Sequence, residues 1–394
     1  MKILQINSTS NSGSTGRIAE NIGKVFLGRK NESAIAFGRK GNPSASQEIK
    51  IGTRVDFYTH AIQTRILDNH GLASVKATKN LIEDIKKFDP DVIGLHNLHG
   101  YYLNYKTLFE YLKKARKPVV WTFHDCWPFT GHCSYFDRVD CEKWKTHCDK
   151  CPLTHYYPAS YFKDRSYKNF DDKRECFSNH PNLTIVTPSN WLKELVKESF
   201  LKDYDVEVIH NGVDLTTFYP KKITMEEKVV LGVANVWSER KGLNDFIKLR
   251  EILDSDIHIV LIGLNSHQVK NLPEGILGLD RTESAEDLAS WYNKATVFCN
   301  PTYIDNFPTT NIEALACGTK VITYDTGGSP EAVCDKTGYV LQKGDIVGMK
   351  KAIESEVKSK ETVILCRARA KNLFDAQERF DDYYKLYLAK LKSN

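Results

Sequence analysis

The chain has no apolar run long enough to span a membrane, so no transmembrane helix is expected. Its opening residues, MKILQIN, hold too short an apolar stretch for a secretory signal, and Ser, Asn and Gly follow at once. They read instead as a first buried strand, and a cytoplasmic location is the expectation. The sequence lacks a G-x-G-x-x-G dinucleotide fingerprint, a short-period repeat and any low-complexity segment. It also lacks a recognised nucleic-acid module or a long basic stripe, so nucleic acid is not an expected partner. Strong charge of either sign is missing too: Lys and Arg number 55 against 50 Asp and Glu, a net of +5. The basic residues cluster at Lys113, Lys114, Arg116 and Lys117 and along 163–174. Such clusters are either solvated faces or contacts with an anionic leaflet or a lipid diphosphate.

What is present is an ample core and a regular alternation of elements. With 394 residues, 41% of them hydrophobic, two domains are expected. Strand patterns fall at 3–6, 92–95, 119–123 and 183–187. Helical patterns fall at 17–27 and 108–115, and in a helix capped by Ser189. A break follows at His210-Asn211-Gly212-Val213-Asp214, with Tyr219-Pro220-Lys221-Lys222 as a linker. Alternation restarts with a strand at 229–234, a helix from Leu243 and a strand at 257–262. A helix capped by Ser284, with Asp287 at the capping-box position, comes next, then strands near 297, 321 and 339. From about 375 a long amphipathic helix carries Phe380, Tyr384, Tyr387, Leu388 and Leu391 on one face. This is the pattern of two doubly wound α/β domains in tandem, with a cleft between them able to hold two substrates.

Several stretches carry chemistry. Residues 301–319, PTYIDNFPTTNIEALACGT, follow a buried strand and set Asp305 and Glu313 on either side of an Asn-Phe-Pro turn. A turn at the carboxyl end of such a strand is where open α/β sheets bind ligands; the amides of a helix start receive phosphate, and carboxylates accept from sugar hydroxyls. An ordinary strand-turn-helix connection reads the same way in isolation. Residues 12–16, SGSTG, lie between the first strand and first helix, where Gly13 and Gly16 allow close backbone approach to a ligand or make a plain flexible turn. His124 ends a strand in WTFHD and can hydrogen-bond a sugar hydroxyl; His96 and His99 sit at another strand end. Arg240 and Lys241, beside Gly242, suit a leaving diphosphate or form a solvated charge pair. Asp89-Pro90-Asp91 precedes a strand rather than following one, so it reads as a turn and not as a metal-binding DxD.

Together these pieces resemble the retaining GT-B glycosyltransferases, a family that includes mannosyl- and glucosyltransferases of polysaccharide and glycolipid assembly. The resemblance covers nearly the whole chain: the glycine-containing first loop, His124, HNGVD with Phe218 and Pro220, the RKG run, and carboxylates eight positions apart. The last is the family's E-x7-E pattern with Asp305 at its first position. The region 121–152 is similar to colanic-acid and exopolysaccharide transferases. The resemblance implies two Rossmann-like domains facing across a cleft. Residues 1–218 would be the acceptor side, with a Cys-rich insertion at 126–165. Residues 219–374 would bind the donor, and the helix 375–394 would return to the first domain. It implies a UDP- or GDP-linked sugar donor and a saccharide or lipid-linked acceptor, with peripheral contact at the inner membrane face. Gly16, with Gly13, would approach the donor phosphate, and His124 the donor sugar. Arg240 and Lys241 would neutralise the departing diphosphate. Asp305 and the Asn306–Phe307–Pro308 turn would bind the sugar, Glu313 the ribose, and Arg281 would lie near the base. His96 and His99 are acceptor-side candidates. Pro308 has no amide hydrogen, so the donors in that turn are Asn306 and Phe307. Two departures stand out: Asn235 occupies a position where the family often has Arg, and Asp305 is one methylene shorter than Glu. No cofactor is implied for catalysis. An epimerase or phosphorylase of the same fold and a non-catalytic carbohydrate-binding protein are the rival readings.

Of ten cysteines, Cys133, Cys141, Cys148 and Cys151 fall together, the last two as Cys-x2-Cys. In a reducing compartment this pattern reads as structural zinc, as unligated or redox thiols, or as an iron–sulfur site. Cys126 is a fifth candidate. Cys176, Cys299, Cys317, Cys334 and Cys366 read as mostly core residues.

Overall fold

The computed structural model describes residues 1–221 and 227–393; Lys222 of the expected linker lies outside them. The chain forms two compact units, Met1–Ile209 with Phe380–Asn394, and His210–Arg379.

The first unit holds a seven-stranded parallel sheet. Its strands are β1 (Lys2–Asn7), β2 (Glu32–Phe37), β3 (Gln47–Lys50), β4 (Val92–Leu95), β5 (Val119–Thr122), β6 (Leu183–Thr187) and β7 (Val206–Val208). They run in the order β3-β2-β1-β4-β5-β6-β7. The central strands β4, β5 and β6, buried on both faces, read as nearly continuous apolar runs, as a parallel sheet requires. Beneath them Phe109, Trp121 and Phe177 pack ring on ring, with centroids 4.7–5.4 Å apart. The long helix Ala376–Lys392 completes the unit. Phe380, Tyr383 and Tyr387 are its buried residues. Phe26 meets Tyr384 and Tyr387 at 4.9 and 5.5 Å. Arg29 pairs with Asp381 at 2.9 Å. A Cβ on Gly94 of β4 would lie 2.3 Å from the Tyr387 hydroxyl, so the strand is bare where the ring tip arrives. Asp91 accepts from the Lys2 amide at 2.7 Å, which ties the Asp-Pro-Asp segment to the sheet edge as a turn.

The second unit holds six parallel strands: β8 (Lys228–Val233), β9 (Ile257–Ile262), β10 (Ile276–Leu279), β11 (Val297–Asn300), β12 (Lys320–Tyr324) and β13 (Gly338–Leu341). Their order is β10-β9-β8-β11-β12-β13. Alternate strand residues face opposite layers. Leu231, Phe298 and Val321 pack with Tyr292, Ile312 and Phe374. Val230, Cys299 and Ile322 pack with Phe246, Leu249 and Met349. Helices thus cover both faces, and in both sheets the order reverses once, between β1 and β4 and between β8 and β11. Those switch points leave a crevice outside the strand carboxyl ends. Ser284 caps its helix by accepting from the Asp287 amide at 3.1 Å, but Asp287 answers the Glu283 amide at 3.2 Å, so the expected reciprocal box is displaced by one residue.

Candidate functional site

In the second unit the loops after β8 and β11 meet at the switch point. After β8 the chain turns through Glu239–Lys241 and Gly242, then enters the helix Leu243–Ile252. Gly242 has φ +75°, and a Cβ there would sit 2.2 Å from the Pro301 carbonyl oxygen. Only glycine lets the two loops approach so closely. The Tyr303 amide then donates to the Arg240 carbonyl at 2.8 Å. The Arg240 guanidinium donates to the Ile304 carbonyl at 2.6 Å. Lys241 forms an ion pair with Asp305, both side chains largely buried. The structure thus brings together three of the expected residues, and it uses the Arg240 side chain to hold the 301–308 turn.

That turn is fixed from three more directions. Asn211 donates to the Phe307 carbonyl at 3.1 Å, and the Phe307 ring stacks on His210 at 4.9 Å. Gly327 (φ +53°) lies so close that a Cβ would fall 1.7 Å from the Asp305 carbonyl oxygen. The helix Thr309–Ala316 begins at Pro308 with no side-chain cap, which leaves its first-turn amides oriented for an anion. Behind it, Asn311 accepts from Asn300 at 2.8 Å and donates to the Ser329 hydroxyl at 3.0 Å. Glu313 accepts from the buried Tyr292 hydroxyl at 3.0 Å. Burial and this carboxylate both push the Tyr292 phenol up, so it stays a donor. Arg281 follows the edge strand β10, exposed, and no ion pair joins it to the switch point among the described residues.

In the first unit, the helix Gly13–Gly28 starts with Ser12 extended and no side-chain cap. A Cβ on Gly16 would fall 2.7 Å from Thr9 Oγ1, whereas Gly13 (φ +67°) faces open space. His96 follows β4 and His124 follows β5. Gln5 Nε2 donates to the Ala19 carbonyl at 2.7 Å, which turns its Oε1 toward His96 Nε2 at 3.0 Å. His96 Nε2 is therefore the protonated nitrogen, and its Nδ1 accepts from His124 Nε2 at 3.2 Å. Burial lowers both imidazoles, His124 to about 4, so the pair is neutral near pH 7. His99 makes a separate chain: its Nε2 meets Asp125 at 2.8 Å and its Nδ1 the Tyr157 hydroxyl at 2.9 Å. Burial favours the neutral form of Asp125, but His99 outweighs it and holds the carboxyl below its usual range. Asp125 and Tyr157 were not singled out from sequence. Asp125 had a signal, as a carboxylate next to the strand-end His124. Tyr157 had none, because its approach depends on the path of the insertion.

The insertion brings Cys133, Cys141, Cys148 and Cys151 to the lining of one cavity of about 10 Å³, room for about one water. Cys148 Sγ accepts from the Gly131 amide at 3.2 Å. A hydrogen bond from Cys133 lowers the Cys151 thiol to about 7, while burial raises Cys148 to about 12. The metal assignment of the four cysteines is corrected to this extent: among the described residues no three His, Cys, Asp or Glu side chains stand as a group able to hold a metal ion. The thiols ring the cavity without converging. Cys299, Cys317 and Cys366 are buried as expected, whereas Cys334 is exposed. Among the described residues no helix is long and apolar enough to cross a membrane.

Two Rossmann-like parallel-sheet domains in tandem place the chain in the GT-B fold class. The chain belongs to Glycosyltransferase Family 4, whose description matches residues 16–217, and residues 227–358 match Glycosyl transferases group 1. Among curated proteins it is similar to the colanic acid biosynthesis glycosyl transferase WcaC of Escherichia coli (strain K12), at 23% identity over 98% of this chain and 99% of that one. A D-inositol 3-phosphate glycosyltransferase of Mycolicibacterium smegmatis is 27% identical over 42% of this chain and 43% of that one. Among solved structures, sucrose-phosphate synthase from Thermosynechococcus elongatus superposes with TM-score 0.71 at 15% identity, covering all of both chains. Anabaena HepE in complex with UDP superposes with TM-score 0.67 at 14% identity, over 99% of this chain and 100% of that one.

Proposed function

We propose that this glycosyltransferase moves a sugar from a nucleoside diphosphate donor to a saccharide or lipid-linked saccharide in polysaccharide assembly, with retention at the anomeric carbon. The observation that carries the reading is the Lys241–Asp305 pair beside the uncapped helix start at Thr309, with Glu313 behind it. A diphosphate would take Lys241, with Arg240 close by and the helix amides below. The bond from anomeric carbon to phosphate oxygen breaks there, and positive charge is supplied by fixed groups. Asp305, released from Lys241, accepts from sugar hydroxyls with the Asn306–Phe307–Pro308 turn, and Glu313 accepts from the ribose. The acceptor oxygen bonds to the anomeric carbon on the face the phosphate leaves, and its proton passes to a phosphate oxygen. Arg281 is assigned to the base. In the first unit Gly13 and Gly16 form an anion cradle, His124 contacts the sugar, and His96 and His99, now with Asp125 and Tyr157, line the acceptor side.

The whole-length similarity to the colanic acid enzyme supports the polysaccharide role. HepE, solved with UDP-glucose, supports a UDP-linked donor over a GDP-linked one. The cytoplasmic face of the membrane is the place of action this implies.

Transfer from labelled nucleotide sugars tests the proposal, with the product anomer read by NMR. Lys241→Ala is expected to lower kcat/KM by roughly 10²–10³-fold, the scale of a lost charge-stabilising donor, and Glu313→Ala to raise the donor KM. Unchanged turnover in both variants, or an inverted product, overturns it.

A further inference from the structure

The helix Arg54–Leu67 of the first unit has its polarity reversed. Its buried residues are His60, Ala61 and Thr64. Its outer face carries Tyr58, Ile62 and Ile66, with Tyr58 63% and Ile62 53% exposed. Spacing of four residues lines these side chains into one stripe, where a surface helix ordinarily presents polar groups. The stripe continues onto a neighbouring segment. The Tyr161 amide donates to the Arg65 carbonyl at 2.8 Å, which seats Tyr161 and Phe162 against the last turn of the helix. Phe162, at 79%, is the most exposed large apolar side chain among the described residues.

Cations rim this surface. Arg54, Arg65 and Lys163 are exposed, and the Arg39 guanidinium lies 5.5 Å from the Phe57 ring of the same helix. The nearby acids are already engaged. Asp56 closes the capping box with Thr53. Asp68 accepts from His132 and the Arg165 amide at 2.6 and 2.8 Å. Asp164 accepts from the Cys151 and Ser166 amides at 2.6 and 2.8 Å.

We propose that this face docks on an anionic bilayer. Tyr58, Ile62, Ile66 and Phe162 would enter the headgroup boundary, and the arginines and Lys163 would meet lipid phosphates. Charge favours this occupant over a second copy, because a two-fold contact would set the same unbalanced cations against each other. Apart from Lys163, the basic residues of 163–174 do not supply the contact. Arg165 and Lys168 both bind Asp172, at 2.8 and 3.2 Å. Arg174 binds Asp171 at 2.8 Å, and Lys173 is buried. The inference extends the lipid-linked acceptor reading but is tested without donor or acceptor, so either can fail alone.

The test is co-sedimentation of the full chain with vesicles of phosphatidylcholine alone and with about one-third phosphatidylglycerol, at low and high salt. Tight binding to the anionic vesicles only, weakened by salt, is expected. In Tyr58→Ser/Ile62→Ser/Phe162→Ser it should fall by about tenfold or more, with the melting curve unchanged. Arg54→Glu/Arg65→Glu, which spares the apolar stripe, should lose the preference for anionic lipid. Absence of binding by the native chain overturns the proposal. So does equal binding to both vesicles, or a concentration-dependent dimer that the serine variant disperses.

Discussion

At the scale of single residues, the donor-side turn depends on atoms that are missing as much as on those present. Gly327 stands at φ +53° with its α-carbon against the Asp305 carbonyl. Gly327→Ala would add left-handed strain of about 1 kcal/mol and push the turn away from Lys241. The expected result is a loss of more than about tenfold in kcat/KM, which corresponds to about 1.4 kcal/mol at the transition state, with a shift of only a few degrees in Tm. Wild-type kinetics in that variant would show that the turn tolerates displacement. Asp305, Glu313, Arg240 and Lys241 were legible because charge beside glycine and proline at strand ends is a short-range pattern. Gly327 was not legible, since nothing local marks a residue whose role is to let a distant backbone approach.

At the scale of elements, strands were the most readable. β4, β6 and β9 match their expected bounds because buried parallel strands are uninterrupted apolar runs. The helix Arg54–Leu67 escaped notice for the opposite reason: its apolar residues face outward, so their periodicity points away from the core. The Cys-rich insertion was readable as a unit but not in its geometry. It contains only short 3-10 turns between β5 and the helix Ser166–Phe177, yet it encloses the fully buried Trp144. Lys173, also buried, donates to the Trp127 and Thr130 carbonyls at 2.7 and 2.9 Å. Metal analysis of native protein purified without chelator, with melting curves before and after chelation, tests whether packing and these bonds suffice. Metal-free protein with an unaltered melting curve would leave the insertion held by packing alone.

At the scale of the molecule, buried imidazoles set the acid limit. Burial lowers His60, His124 and His180 from 6.5 to about 4. Between those values the unfolded chain binds protons that the folded chain refuses. Stability therefore falls as pH drops from 6.5 toward 4, by about 1.4 kcal/mol per pH unit for each such site. His132 acts in the opposite sense. Burial lowers it, but the Asp68 bond outweighs burial and raises it, so its contribution is present in acid and lost as pH rises. Burial lowers His70 and His96 as well, so five sites against one predict a Tm that declines steeply below pH 6.5. His60→Gln should flatten that slope by about one proton; an unchanged slope would place the acid sensitivity elsewhere.

The helix that completes the first unit is read from the chain only after the whole of the second. During synthesis, Phe26 and the bare surface at Gly94 have no cover until residues 380–393 leave the ribosome. The second unit, contiguous in sequence, can reach its native state first. The amino-terminal half, although made earlier, must wait with an open apolar seam. A stalled or truncated translation product ending near residue 379 would therefore be a substrate for chaperones and proteases, with the damage in the half farthest from the break.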